Sequence, residues 1–155
     1  MTELTKFEKS GNQFVMKRQY GFGLLVVIGM LAFTIGGIYY KNTAVIWIFG
    51  ILTILCFISI WAQSFIIDLD KNAFIIKNGL INKPVEIPIS DFVNFELVKI
   101  KQNLITTNVS LNLYYIKNNK EKCTGIAQGF TTRSMQKLMN EINAILKINE
   151  HSRKI

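Results

Sequence analysis

Asp68-x-Asp70 is where residue type and spacing first suggest chemistry, because two carboxylates two residues apart can share a divalent cation, as sugar-nucleotide enzymes do. No glycine-rich phosphate loop or nearby catalytic base accompanies the pair. An Asp on the polar face of a strand, followed by an Asp opening a turn, accounts for both more simply. His151 is the single histidine, in the tail "NEHSRKI", and anchors no Ser-His-Asp or Cys-His arrangement. Glu86, Asp91 and Glu96 are spread over strands or turns without the close pairing that acid–base work demands. Cys56 and Cys123 lack metal-ligand spacing and read as small packing residues. The chain is therefore expected to be non-enzymatic, with no metal site and no cofactor.

Binding chemistry has better candidates. Residues 65–155 carry thirteen Lys/Arg against eight Asp/Glu, a net of +5. Lys99, Lys101, Lys117, Lys120 and Lys122 fall near the ends of strands that could be neighbours, where each would gain about 1 kcal/mol from an anionic leaflet. A solvated rim is the simpler account of them. The charge is diffuse and carries no recognition motif, so nucleic acid is not an expected partner. Phe92, Phe95, Tyr114 and Tyr115 are candidate anchors for a protein partner, since an exposed aromatic is a common binding hot spot. Alternation alone does not settle which of the four face the core.

The elements that would position these residues begin with an apolar block. Residues 21–40 and 44–63 are two runs of twenty uncharged residues, separated by Lys41-Asn42-Thr43. At about 1.5 Å per residue each run spans roughly 30 Å as a helix, the thickness of a bilayer's hydrocarbon core. The apolar character runs round every face, unlike a soluble helix with its polar stripe. Tyr20, Phe22, Tyr39, Tyr40, Trp47 and Trp61 stand near the ends of the runs, as interfacial aromatics do. Lys17 and Arg18 precede the first run and Lys71 and Lys77 follow the second, whereas the loop holds Lys41 alone; the positive-inside rule predicts two spans with both termini cytoplasmic. The run begins too late and is too long for a cleaved signal peptide. Gly29, Ala32, Gly36 and Gly37 are candidate helix-packing residues, against the second helix or against another membrane protein.

Residues 1–19 read as a polar surface segment, with Gly11-Asn12 interrupting any helix. From residue 65 the pattern alternates. "FIIDLD" and "AFIIK" form a hairpin bounded by Asn78-Gly79, "KPVEIPI" suits an edge strand because of Pro84 and Pro88, and "FVNFELVKI" puts Val93, Phe95 and Leu97 on one face. "VSLNLYYIK" is the cleanest strand, with Val109, Leu111, Leu113 and Tyr115 together, and "NNK" turns it into "EKCTGIA". Six antiparallel strands follow. Thr131 caps a terminal helix, Phe130 and Met135 take hydrophobic-staple positions, and Met135, Leu138, Ile142 and Ile145 form its apolar stripe.

The segment "FIIDLDKNAFIIKNGLINKPVEIPISDF" and the helix after "GF" resemble small bacterial membrane proteins in which two transmembrane helices precede a bacterial pleckstrin-homology-like domain. The resemblance covers residues 20–147 and is one of pattern and order. It implies a membrane α-helical hairpin plus an α+β cytoplasmic domain, an antiparallel PH-like β-barrel or sandwich capped by one C-terminal helix. The family domain usually has seven strands, so a short strand near Ser90 or Leu104 would be hidden. The expected organisation is residues 1–19 as an N-terminal cytoplasmic segment, 20–64 as the hairpin, 65–149 as the β-domain with its helix, and 150–155 as a tail. The expected role is an accessory or regulatory subunit of the inner membrane acting through protein–protein contacts. Two alternatives are an immunity protein neutralising an envelope-acting toxin, and a sensor of anionic lipid.

Overall fold

The computed structural model describes residues 4–18, 21–102 and 105–152, without the side chains of 22, 101, 102, 105–107 and 148–152. Two antiparallel sheets and three helices make up the fold. One sheet is a meander of β1 (Phe7–Ser10), β2 (Gln13–Met16), β3 (Ser64–Asp68), β4 (Ala73–Lys77) and β5 (Val85–Pro88). The other is β6 (Phe92–Gln102), β7 (Ile105–Lys117) and β8 (Lys120–Gly129). The sheets remain separate, so the arrangement is not a closed barrel.

α1 (Gly21–Tyr39) and α2 (Thr43–Trp61) pack as an antiparallel pair between β2 and β3. A tight turn joins them. The Asn42 and Lys41 N–H groups donate to the Gly37 and Ile38 carbonyls, with Lys41 at φ 53, the bonding of a Schellman C-cap. The Asn42 side chain then accepts from Val45 N–H and caps α2.

The N-terminal expectation needs correction. Residues 7–16, expected to belong to a polar surface segment, form a strand pair, and β2 hydrogen-bonds directly to β3, with Phe14 opposite Ile67. Gly11-Asn12 is the hairpin turn itself, Gly11 taking φ 62. Phe7 and Phe14 are buried in the core. The helical hairpin is thus an insertion within a sheet.

The six strands expected after residue 65 are present, β5 standing at a sheet edge. Ser90, one position for a hidden strand, lies in a 3-10 turn over Ile89–Asp91, and Leu104 lies outside the described residues. Asn78-Gly79 opens a seven-residue loop rather than a two-residue turn, because β5 starts only after Pro84. In β6 a register shift between Phe92 and Asn94 turns Val93 out to solvent and Phe92 in, reversing the expected face at that point. The β7 alternation holds, with Val109, Leu111, Leu113 and Tyr115 all buried. Asn118 and Asn119 both take φ 56, which two-residue hairpin turns require, and they join β7 to β8.

α3 (Thr132–Ser152) starts where Thr131 Oγ1 accepts from Ser134 N–H. Met135, Leu138, Ile142 and Ile145 are fully buried, while Phe130 stays half exposed. On the same helix Glu141 is buried and accepts from Thr5 N–H (3.3 Å), Thr5 Oγ1 (2.7 Å) and Lys6 N–H (2.8 Å), which clips the start of β1 to α3. Glu141→Ala should cost about 3 kcal/mol, because three donors lose a charged acceptor. Urea unfolding measures the loss, and amide exchange at Lys6 should accelerate with it.

Candidate functional site

A cleft of about 290 Å³ at the base of the hairpin links the helices to the β-domain. Short connections create it. Only residues 17–20 join β2 to α1, and Ala62-Gln63 join α2 to β3, so the helix ends are held against the domain. Gly21 lies so close to β8 that an added Cβ would collide with the Gln128 carbonyl oxygen. Asn78 spans the two sheets, donating through Nδ2 to Thr124 Oγ1 (3.2 Å) and the Gly125 carbonyl (3.1 Å). β8 therefore runs across the base, with Gln128 under α1 and Thr124 beside the loop that follows β4. Gly125 and Gln128 are three positions apart, roughly 10 Å of strand, which matches the spacing of two packed helices.

The cleft wall is polar on the domain side. Gln63, Ser64, Asn78, Ser110 and Gln128 line it with Arg18, whose guanidinium lies 5.1 Å from the centre of the Trp61 ring. Among the described residues no carboxylate lines it; those that do are a cation and neutral hydrogen-bonding groups, a set that can bind an anion or an amide. This site was not foreseen: its residues come from five separated stretches, and only Lys17-Arg18 beside an aromatic-flanked span hinted at it.

The expected anchors fall elsewhere. Tyr115 is buried in the core; Phe92 and Phe95 are half-buried and pack on it, their rings 5.8 and 6.3 Å from Phe74. Tyr114 is half-buried on the opposite face of β7, where its hydroxyl donates to Glu96 at 2.5 Å. That bond to Glu96, helped by Cys123, raises the phenol above its ordinary range and keeps it protonated. None of the four is a fully exposed anchor. Cys123 is exposed rather than a packing residue, because it lies opposite Tyr114 on the face of the sheet turned from the core.

The lysines separate into two groups. Lys99 pairs with Val109 and Lys101 with Thr106, near the turn from β6 to β7, whereas Lys117 pairs with Lys120 and Lys122 with Tyr115 at the far end of the sheet. The antiparallel register puts roughly 25 Å of β7 between them, so the five do not form one patch. The Lys101 side chain lies outside the described residues, as do Tyr20 and the side chains of Phe22 and His151.

In the hairpin, Gly37 faces Val45 and Ile46 of α2, as does Gly23 with Ile60. Gly29 and Gly36 meet nothing within 4 Å and Ala32 is exposed, so these three candidate packing residues turn away from α2.

Asp68 is not on a polar face but buried, bracing the turn between β3 and β4. Its Oδ1 accepts from Asp70 N–H (3.1 Å) and Lys71 N–H (3.0 Å), and its Oδ2 from Gln13 Nε2 (2.8 Å). Asp70 in turn accepts from Asn12 Nδ2 at 2.7 Å, so both carboxylates tie the β1–β2 turn to β3 and β4. Among the described residues no group of three or more His, Cys, Asp and Glu comes together as a metal site. The Lys71 N–H bond, with those from Gln13 and Asp70, holds Asp68 below the ordinary carboxyl value of 3.8 against the opposing effect of desolvation. The folded state thus favours the carboxylate: its contribution is complete above 3.8 and disappears as pH falls through the lowered folded value. Asp68→Asn should flatten the acid limb of stability against pH, read by thermal unfolding across the acid range.

No protein-family model matches this chain, and no curated protein matches it.

Proposed function

We propose that this protein is a bilayer-anchored, non-catalytic binding module of the bacterial inner membrane, an accessory subunit that holds a protein partner through its helices and its PH-like β-domain. The insertion of the helical hairpin between β2 and β3 carries this reading. α2 has nineteen residues of mean hydropathy 2.5, none of them buried, and among the described residues it is the one helix long and apolar enough to cross a membrane. Within α1, residues Gly23–Tyr39 form a shorter apolar stretch. Because Phe14 pairs with Ile67, the chain must leave and re-enter the same side of a bilayer. A crossing by α2 alone would put bonded strands in different compartments, so the pairing supports two crossings or none. Large exposed apolar side chains along both helices, among them Phe33, Ile35, Ile51 and Ile54, favour two. The Thr34 and Thr53 hydroxyls donate to carbonyls one turn back, which lipid demands of a polar group. Trp61 at the base, with Tyr39 and Tyr40 at the loop, stands where the headgroups would be.

The partner is read from α1. Gly29, Ala32 and Gly36 leave a face on which a third helix can approach closely, beside a groove of about 440 Å³ that includes Phe33 and Tyr40. Two antiparallel sheets with one C-terminal helix are compatible with the pleckstrin-homology-like reading, although two strands precede the hairpin here. Extraction in mild detergent followed by mass spectrometry should recover a stoichiometric membrane partner, and Gly36→Leu should release it. Recovery of a secreted toxin would replace this reading with immunity. A second reading, anionic-lipid sensing, is favoured by Arg18 in its polar cleft and would prevail if the protein came out alone with bound phospholipid.

A further inference from the structure

The loop between β4 and β5, residues 78–84, has no role in the fold that explains its surface. Ile81 is 93% exposed and Leu80 46%, two neighbouring aliphatic side chains at the tip. The loop is nevertheless well tied. The Asn82 side chain donates to the Asn78 carbonyl at 2.8 Å, and Asn78 is fixed to β8 by the two bonds already described. Gly79 takes φ +79, and its backbone passes so near α2 that an added Cβ would be 3.1 Å from Ser59 Oγ. Ser59 belongs to the last turn of α2, two residues before Trp61, about 3 Å along the axis. The loop therefore begins at the depth where the span ends.

We infer that Leu80 and Ile81 enter the boundary between headgroups and acyl chains of the cytoplasmic leaflet, giving the protein a shallow second contact with lipid beside its span. This rests on the bilayer-anchor reading above. The occupant is lipid because the loop starts beside Ser59 in the last turn of α2, and because Lys77 and Lys83 flank its aliphatic tip, as basic residues flank an interfacial segment facing anionic headgroups. The internal bonding of Asn78 and Asn82 leaves fewer polar groups to be satisfied by water when the tip enters.

The test uses the full chain, with Cys56→Ala and Cys123→Ser, in phosphatidylcholine–phosphatidylglycerol vesicles. Single cysteines replace Ile81, Leu52 in the middle of α2, and Gln136 on the exposed side of α3, each labelled with an environment-sensitive fluorophore. Leu80→Cys supplies a second probe of the same loop. A quencher on the lipid headgroup region should quench the Ile81 and Leu80 labels and shift their emission to the blue; an acyl-centre quencher should quench Leu52; the Gln136 label should respond to neither. Labels at 80 and 81 that behave like Gln136, with Leu52 in lipid, would overturn the loop contact and leave the anchor intact. A Leu52 label insensitive to lipid quenchers would overturn the anchor, and the loop contact with it.

Discussion

Phe74→Ala should remove about 3–5 kcal/mol of stability, a large share of the 5–15 kcal/mol typical of a whole domain. Phe74 is fully buried in β4, and its ring stacks on Phe65 at 5.9 Å within its own sheet. It also meets Phe92 at 5.8 Å and Phe95 at 6.3 Å, both on β6 of the other sheet. Truncation leaves a void at the point where the two sheets join, and the surrounding rings cannot collapse into it without disturbing either register. Urea unfolding in detergent measures the effect. A loss under about 1 kcal/mol would mean that the aromatic cluster does not join the sheets.

Gly21→Val should release the hairpin from the domain while leaving each folded. Gly21 takes φ +35, where a β-branched residue is strained by about 1–2 kcal/mol, and its new side chain would begin against the Gln128 carbonyl oxygen. The strain alone favours the opened joint about tenfold, and the backbone clash adds to it. Tryptic cleavage at Arg18, which lines the cleft with β8 and lies over Trp61 of α2, should accelerate accordingly. Gly29→Ala is the control: its added Cβ meets nothing within 4 Å, so cleavage should not change. Equal rates for Gly21→Val and the parent would show that the contact with β8 does not hold the helices in place.

Strong local patterns carried the reading of sequence into fold. The continuous apolar runs of the hairpin, the two-residue alternation of β7 and the helical stripe of α3 each announce their element without help from the rest of the chain. The β1–β2 pair did not, because each strand has four residues and only Phe7 and Phe14 are buried. Its signal was Gly11-Asn12, a dipeptide that either interrupts a helix or turns a hairpin. Only the partner strand, some fifty residues on, decides between them. Phe92 and Val93 exchanged faces through a bulge, which leaves no mark in an alternating pattern. The site at the hairpin base was less legible still, since Arg18, Ser110 and Gln128 meet only through the antiparallel register of β7 with β8 and the seating of α1 on it.

The insertion also orders events during synthesis. β1 and β2 leave the ribosome before the hairpin, and a lone pair of four-residue strands is marginally stable at best in water. Their partner β3 is made only after both helices, so Phe7 and Phe14 have no core to enter until the apolar segment has been delivered to its place. On the proposed two-span reading, completion of the five-stranded sheet would depend on delivery: a chain whose hairpin failed to insert as a pair would keep a β2 edge unpaired and two aromatic rings in solvent. Such a chain would be open to proteases and aggregation through β1 and β2, whereas one inserted as proposed would close its sheet as soon as β3 and β4 emerge.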